Sequence, residues 1–556
     1  MSTVFKEFQK TCELAAEKAF LHIPLTAAQQ YSSTAIDYSY AQAMIKVLEA
    51  KQEYQRCGLL SGQRIVLALE NRPEFFFNWL ALNSLGCSVV PVNTEMPANE
   101  ISYFLAHSEA VAIVCLPEKM DLLADAITEL KAEMRAEQSA EPAPVLVASN
   151  DLQSLPELSG TAVSDDSSAD KDKECALLYT SGSTGRPKAC ILSNAYFMAF
   201  GDWYKHLDGL GAIEWGKERL LTPLPLGHMN AMAVSSTAMI MNAGCIIQLD
   251  RFHPSTWWQS VRESKATMLH YLGVLPAILL QLPEEPTDDL NGQVKFGFGA
   301  GVNPKHHAPF QERFGFPLIE SWAMTECGAG GCITANKEPR HVGESCFGRP
   351  TDAVEYQLID EQGSIVEPGT PGELRVRSAF ENKQQDFFSG YFKDPKATQE
   401  AWKDGWLNTG DVVMQHEDGC LHFVDRRKNV IRRSGENIAA LEVEAILSLD
   451  DCIQEGLVAA VPDELRGDEV AACIVLHEGY EADQATAEAI VERCLAQLAY
   501  FKAPGYIAFC DVLPKTASNK PKRADVKILA RQRVADGECF DTRDLKKNPK
   551  QSISSS

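Results

Sequence analysis

Positive charge is scarce in this sequence: 52 lysines and arginines stand against 76 aspartates and glutamates, for a net charge of −24. Sequence-independent binding to nucleic acid or to an anionic membrane needs a basic footprint, so both are excluded. A polyanionic substrate must instead be met by local cations and backbone N–H groups. Paired cysteines are missing too. The 16 cysteines include no C-x-x-C pair, and the closest two, Cys327 and Cys332, have no histidine pair at zinc spacing nearby. They read as reduced thiols in a reducing compartment, which excludes a disulfide framework. Long apolar runs are also lacking. The most apolar stretch, Ala231–Leu249, carries Ser, Thr and Asn and reads as buried helix and strand, so no integral membrane association is expected. The first twenty residues are broken by charges and hold no apolar core of signal-peptide length, and the expected location is cytoplasmic.

What is present is a chain of 556 residues, 45% apolar and 23% charged, too long for one ordinary core. Its first part alternates short β-branched runs with helical ones. RIVLALE (Arg64–Glu70), CSVVPVN (Cys87–Asn93) and AVAIVC (Ala110–Cys115) read as strands; Phe75–Gly86 and Ile101–Ser108 read as helices. Such alternation implies crossover connections and parallel-type sheets, an α/β fold with packed helices. The polar, acidic segment Ser159–Glu174 reads as a surface loop. After Asp425 the character changes: a basic strand-turn run is followed by the helix-like LEVEAILSL, then by GLVAAV, AACIVL and IAFCDVL as short strands, with a helix at Ala485–Ala499 between the last two. The expected organisation is a large N-terminal domain over 1–424, a small α+β C-terminal domain over 425–532 and a flexible tail over 533–556.

LLYTSGSTGRPKAC (Leu177–Cys190) gathers Thr180, Ser181, Gly182, Ser183, Thr184 and Gly185 ahead of Lys188. Glycines let successive N–H groups converge and hydroxyls add donors, a combination that wraps phosphate oxygens. The spacing is not that of the Walker loop, G-x-x-x-x-G-K-[ST]. As the string T-S-G-S-T-G-x-P-K it resembles the phosphate-binding loop of the acyl-adenylate-forming superfamily, with Ala189 where a glycine is usual.

Further stretches resemble that superfamily in its own order. GFGAGVNP (Gly297–Pro304), with Gly299 and Ala300, resembles the adenine-side strand and turn. In ESWAMTECG, spanning Glu320, Ser321 and Trp322, Ala323 replaces a usual glycine. By resemblance the Trp322 ring stacks on adenine, the Thr325 hydroxyl binds the α-phosphate, and Glu326 holds Mg2+, a hard ion that takes oxygen ligands. GWLNTGDVV resembles the superfamily's T-G-D motif, which implies that Asp411, an acceptor-only carboxylate, takes hydrogen bonds from the ribose hydroxyls. FVDRRKNVIRRSGENI (Phe423–Ile438) resembles the interdomain junction: Arg426 at the ribose, Lys428 as hinge, Gly435 in a turn that approaches the acyl site during thioester formation. LPKTASNKPKR resembles the closing motif, with Lys520 as the catalytic lysine and Asn519 in place of a glycine. His228, in PLPLGHMNAM, matches the histidine beside the carboxylate-binding channel.

The resemblance runs from about residue 30 to about residue 530. It implies a mobile C-terminal domain and an ATP-dependent acyl-CoA ligase that uses Mg2+, forms an acyl adenylate from a small carboxylic acid, and passes the acyl group to coenzyme A. The wording FVDRRKNVIRRSGENI with YFKAPGYI is similar to the crotonobetaine/carnitine-CoA ligase branch, implying a short or medium acid, betaine-like in one reading. Trp203, Tyr204 and Trp215 would then either offer aromatic faces to a cation or pack in the core, and the small residues Cys327, Gly328, Ala329, Gly330 and Gly331 would leave room for the acyl group. Two alternatives remain open at this point: an adenylation enzyme that loads a carrier protein, and a non-catalytic nucleotide-binding regulator.

Overall fold

The computed structural model describes residues 2–136, 142–158, 170–180, 187–433, 436–463, 466–515 and 520–546. The chain divides into two compact units, Met1–Tyr356 with Val376–Leu407, and Gln357–Arg375 with Asn408–Ser556. The boundary expected at residue 424 thus falls inside the second unit.

The first unit is built on two sheets. In one, the strands Ser88–Pro91, Arg64–Ala68, Ala112–Cys115 and Val145–Ala148 run parallel, and Glu174–Thr180 joins them in parallel at Ser88–Pro91. Arg64–Ala68 is buried along its whole length, as expected of a strand covered on both faces. The helix Pro73–Ser84 begins with Pro at its first turn and buries ten of its residues, which is why its sequence is apolar all round. Lys188–Ser193 then pairs antiparallel with Glu174–Thr180, and Gly390–Tyr391 closes that edge. The second sheet has eight strands, parallel from Leu318–Trp322 through Phe296–Gly299, Met268–His270, Arg219–Thr222 and Cys245–Gln248 to Ala19–Ile23, with an antiparallel strand at each edge. The apolar stretch Ala231–Leu249 resolves into a π-helical turn Asn230–Ser235, the helix Ser236–Met241 and the strand Cys245–Gln248, all largely buried. Among the described residues no helix is long and apolar enough to cross a membrane.

The second unit contains the hairpin of Trp406–Gln415 and Leu421–Arg426. Beyond it, Ile453–Asp463 pairs antiparallel with Gly467–Leu476, which pairs parallel with Tyr506–Phe509. Strand alternation sorts the core by parity. Val458, Ala460, Val470, Ala472 and Ile474 pack with Val443, Leu447, Ile490 and Val491 of the helices Ala440–Leu447 and Gln484–Leu495. Leu457, Ala459, Val461, Ala471 and Cys473 pack with Val526 and Ala530 of the helix Arg523–Ala535 on the other face.

The expected tail starts too early. Residues 533–535 finish that helix, Phe540–Asp541 pairs with Tyr506–Phe509, and the buried Lys546 ammonium reaches Glu469 Oε1 at 2.5 Å. The charge of Lys546 is thus answered inside the fold. Burial still pulls the Lys546 pKa down to about 8. Residues 547–556 and the acidic segment 159–169 lie outside the described residues.

Candidate active site

The glycine-rich segment joins the antiparallel strands Glu174–Thr180 and Lys188–Ser193, in which Thr180 faces Lys188 and Tyr179 faces Ala189. Ser181, Gly182, Ser183, Thr184 and Gly185 lie outside the described residues. At the base of the segment Lys188 Nζ stands over the Tyr391 ring, 4.9 Å from its centroid. The Tyr391 hydroxyl donates to Glu326 Oε1 at 2.8 Å. Burial, reinforced by the Glu326 carboxylate, raises the Tyr391 phenol far above its ordinary pKa, so it serves as a neutral donor. The Glu326 carbonyl accepts from Phe388 N at 3.1 Å, and the preceding Thr325 carbonyl accepts from Tyr196 Oη at 3.0 Å. Lys188 and Glu326, more than a hundred residues apart in sequence, are thus joined through a phenol that carried no assigned role. The signal for it was the run SGYFKDP, which follows the family pattern.

Glu326 is buried, with one oxygen held by a phenol, and a carboxylate anchored in this way is the hard oxygen donor that Mg2+ takes. The residues present fit the ion.

The Glu320 side chain is occupied in holding a turn. Its carboxylate accepts from Tyr271 Oη at 2.8 Å, Gly301 N at 2.8 Å and Val302 N at 3.2 Å. Burial outweighs these three donors and pushes its pKa up to about 7. The turn runs close to its neighbours: a Cβ at Gly299 would meet the Tyr271 carbonyl oxygen at 2.4 Å. Ala300 is exposed on it. The Ser321 hydroxyl bonds to Thr334 Oγ1 and to Ile333 O across the edge strands. Trp322 is buried beside Phe347, with ring centroids 6.1 Å apart. Glu320 and Ser321 therefore support the strand Leu318–Trp322 and the turn at Gly301–Val302.

His228 is exposed on the turn before Asn230–Ser235, and its carbonyl accepts from Met232 N. Beneath that turn lies a group that sequence reasoning missed. The fully buried His270 contacts Ser235 Oγ at 2.8 Å, Asn230 Oδ1 at 3.1 Å and Tyr204 Oη at 3.1 Å. Burial lowers its pKa to about 3, so it is neutral and stitches the π-helical turn to the sheet. π-Helical turns concentrate at functional sites.

Of the two readings of the aromatic rings the structure takes packing for Trp203 and Tyr204, and the expected room for the acyl group is corrected. Tyr204 is buried with its hydroxyl on His270, Trp203 packs against Phe298, and Trp215 is exposed, so the three rings form no cation cage. Gly328 and Gly330 do not leave open space. A Cβ at either would strike the Asp386 or Gln385 carbonyl, at 2.3 and 2.5 Å, because that segment fills the space the missing side chains vacate.

In the second unit Asp411 and Arg426 face one another in the hairpin register, with Arg426 Nε 2.8 Å from Asp411 Oδ1. Asp411 N donates to Thr409 Oγ1, whose hydroxyl bonds Leu374 O at 2.6 Å. The two residues assigned to the ribose are thus adjacent. The backbone at Lys428 lies in the single turn Arg427–Asn429. Asp425 ties this turn to the helix Ala440–Leu447 by accepting from Asn429 Nδ2 and Leu441 N. Gly435 lies outside the described residues. Lys520 follows an undescribed stretch, 516–519, whose flanks are pinned by the bridge of Lys515 with Pro521 and the bond from Lys522 N to Pro514 O. The Lys520 side chain is exposed, yet surrounding protein atoms desolvate its ammonium and lower its pKa from the usual lysine value.

Comparisons with known proteins bear on what these parts belong to. Residues 22–392 match the family model described as AMP-binding enzyme, and residues 442–520 match that of the AMP-binding enzyme C-terminal domain. The chain is 30% identical over 477 residues to a sulfoacetate–CoA ligase of Cupriavidus necator, covering 85% of this chain and 88% of the relative. It is 26% identical over 488 residues to a crotonobetaine/carnitine–CoA ligase of Proteus mirabilis, covering 87% and 92%. The fold is that of an o-succinylbenzoate CoA synthetase of Bacillus subtilis in complex with its acyl-adenylate intermediate, with a TM-score of 0.76 at 21% identity over 95% of this chain and 98% of the other. With a family match that spans most of its length and a relative 30% identical over 85% of it, this chain belongs to the AMP-binding enzymes, the acyl-adenylate-forming superfamily.

Proposed function

We propose that the protein is an ATP-dependent acyl-CoA ligase that adenylates a short or medium polar carboxylic acid and then transfers the acyl group to the thiol of coenzyme A. The observation that carries this reading is the Lys188–Tyr391–Glu326 cluster, standing with the Asp411–Arg426 pair in a chain whose relatives are named CoA ligases.

In the first half-reaction a carboxylate oxygen attacks the α-phosphorus of ATP and pyrophosphate leaves. Both reactants are anions, so positioning and charge neutralisation carry the rate. The Thr180–Gly185 segment and Lys188 hold phosphate oxygens. Asp411, an acceptor only, takes the ribose hydroxyls and is kept in place by Arg426. Glu326, anchored by Tyr391, would hold Mg2+, which neutralises phosphate charge when bound. Lys520 supplies an ammonium to the reacting phosphoryl group, and its partial desolvation strengthens that interaction. His228, exposed at the end of a turn locked by His270, orients the acyl carboxylate. In the second half-reaction the thiol attacks the mixed anhydride and AMP leaves. Lys428 is the pivot for the intervening domain movement, since a hinge needs only a few residues that change φ and ψ.

The test is ATP–pyrophosphate exchange across a panel of short and medium acids, followed by trapping with coenzyme A or with a phosphopantetheinylated carrier protein. Acid-dependent exchange and a thioester on coenzyme A are expected. Exchange with no acid, or a thioester on the carrier alone, would overturn the reading.

A further inference from the structure

One helix of the first unit touches the three segments that carry Thr180, Lys188 and Tyr391. Tyr103 and His107 stand one turn apart on the helix Ala98–Ser108, their rings stacked with centroids 5.4 Å apart. The Tyr103 hydroxyl donates to the Pro187 carbonyl at 3.2 Å, immediately before Lys188. His107 Nδ1 shares a hydrogen bond of 2.9 Å with the Tyr179 hydroxyl, immediately before Thr180. Thr180 faces Lys188 at the end of the antiparallel pair, so the helix holds both of its arms. The third segment carries Tyr391. The His107 ring meets the Phe392 ring edge-on, with centroids 5.6 Å apart, and Phe392 N donates to Ala189 O at 2.8 Å. The buried Arg64 guanidinium lies 4.0 Å from the Phe392 centroid while its Nε and Nη2 hold the Glu174 carboxylate. Glu109 ends the helix in the left-handed region, at φ 56°, and pairs at 2.9 Å with Lys393, itself at φ 57°. Two non-glycine residues in that region mark a contact the fold keeps against backbone preference. Burial, with the Lys393 and Arg64 charges near, lowers the His107 pKa from its ordinary value, and burial raises that of Tyr179, so a neutral ring meets a neutral phenol.

We infer that Tyr103 and His107 are positioning residues for the triphosphate of ATP, acting through Thr180, Lys188 and Tyr391 by fixing the three segments that carry them. The inference rests on the phosphate role given to Thr180 and Lys188 above. Both hydrogen bonds fall at the root of an arm, one residue before the group they place. Small displacements there matter, because misplacing a reacting group by about 1 Å costs on the order of 100-fold in rate. The β- and γ-phosphates are present in the first half-reaction and gone in the second. Loss of either bond should therefore be felt in adenylation and spare the thioester step.

Tyr103→Phe and His107→Leu in the full-length protein test this, since each removes one hydrogen bond and nearly keeps the side-chain volume. In each, kcat/KM for ATP in acid-dependent pyrophosphate exchange should fall roughly 2- to 10-fold, while thioester formation from supplied acyl adenylate stays near wild type. His107→Asn keeps a polar atom where Nδ1 stands and should recover most of the loss. His107→Leu combined with Tyr179→Phe should lose no more than the worse single variant, because the two act through one bond. Equal losses in both half-reactions, full additivity of that pair, or unchanged exchange in both single variants overturns the inference. Calorimetric titration with ATP and Mg2+, which needs no acid, separates it from the ligase reading. Severalfold weaker ATP binding in the variants, with no acid-dependent exchange in the wild type, would keep the positioning role and sink the ligase.

Discussion

At the scale of single residues, Tyr391 answers two charges at once, its hydroxyl on Glu326 and its face under the Lys188 ammonium. Tyr391→Phe separates the two, because the ring persists while the Glu326 anchor is lost. A hydrogen bond to a charged group is worth about 1.5–3 kcal/mol, so kcat/KM for ATP in the adenylation step should fall roughly tenfold or more. Steady-state kinetics across a Mg2+ titration would check it; a variant with wild-type constants would remove Tyr391 from the site. Lys520→Ala tests the other unit. Loss of one preorganised electrostatic donor costs about 2.7–4 kcal/mol, or roughly 100- to 1,000-fold. Pyrophosphate exchange should drop by that factor while thioester formation from supplied acyl adenylate stays near wild type. Equal loss in both halves would mean that the lysine acts through the fold.

At the scale of elements, the turn after Phe296–Gly299 depends on a buried carboxylate with a pKa near about 7. The unfolded chain releases that proton near the ordinary carboxylate value. The folded protein thus binds the extra proton between about 4.5 and about 7, and the stability it brings is complete below this window and lost as pH rises through about 7. Glu320→Gln should flatten the decline of Tm from pH 5 to 8 even if its Tm is lower throughout, as thermal melts at several pH values would show. An unchanged slope would place the titration elsewhere. The role of Glu320 was not legible in the sequence, where it stood inside a nucleotide motif. Its donors come from Tyr271 and from the Gly301–Val302 amides, brought to it by parallel pairing of strands distant in sequence. Local periodicity reported what local forces decide. Arg64–Ala68, Pro73–Ser84 and Ala112–Cys115 form as read, because their apolar pattern is also their burial pattern. The motif resemblance assigned Asp411 and Arg426 to one ribose, and the hairpin register sets these two residues side by side. What could not be read was tertiary: the two-residue strand that delivers Tyr391, the His270 network, and Gln385–Asp386 filling the space beside Gly328 and Gly330.

At the scale of the whole molecule, the net charge of −24 opposes the approach of ATP and coenzyme A, both polyanions. Three cations of the basic run Arg426–Arg433 are already paired within the second unit. Arg426 is spent on Asp411, Arg427 on Glu373, and the buried Arg433 on Glu469. Pairs like these cancel at a distance, so the long-range field that an incoming anion meets keeps the sign of the net charge. The local cations act only once the substrate is close. Screening should therefore speed capture rather than slow it. The Debye length shortens from about 30 Å at 0.01 M salt to about 8 Å at 0.15 M. Across that range kcat/KM for coenzyme A, measured with saturating ATP and acid, should rise, while kcat, set by contacts within a few ångströms, should move little. A fall in kcat/KM would reveal a basic approach path strong enough to outweigh the surface, and the charge of the whole chain would then not govern the encounter.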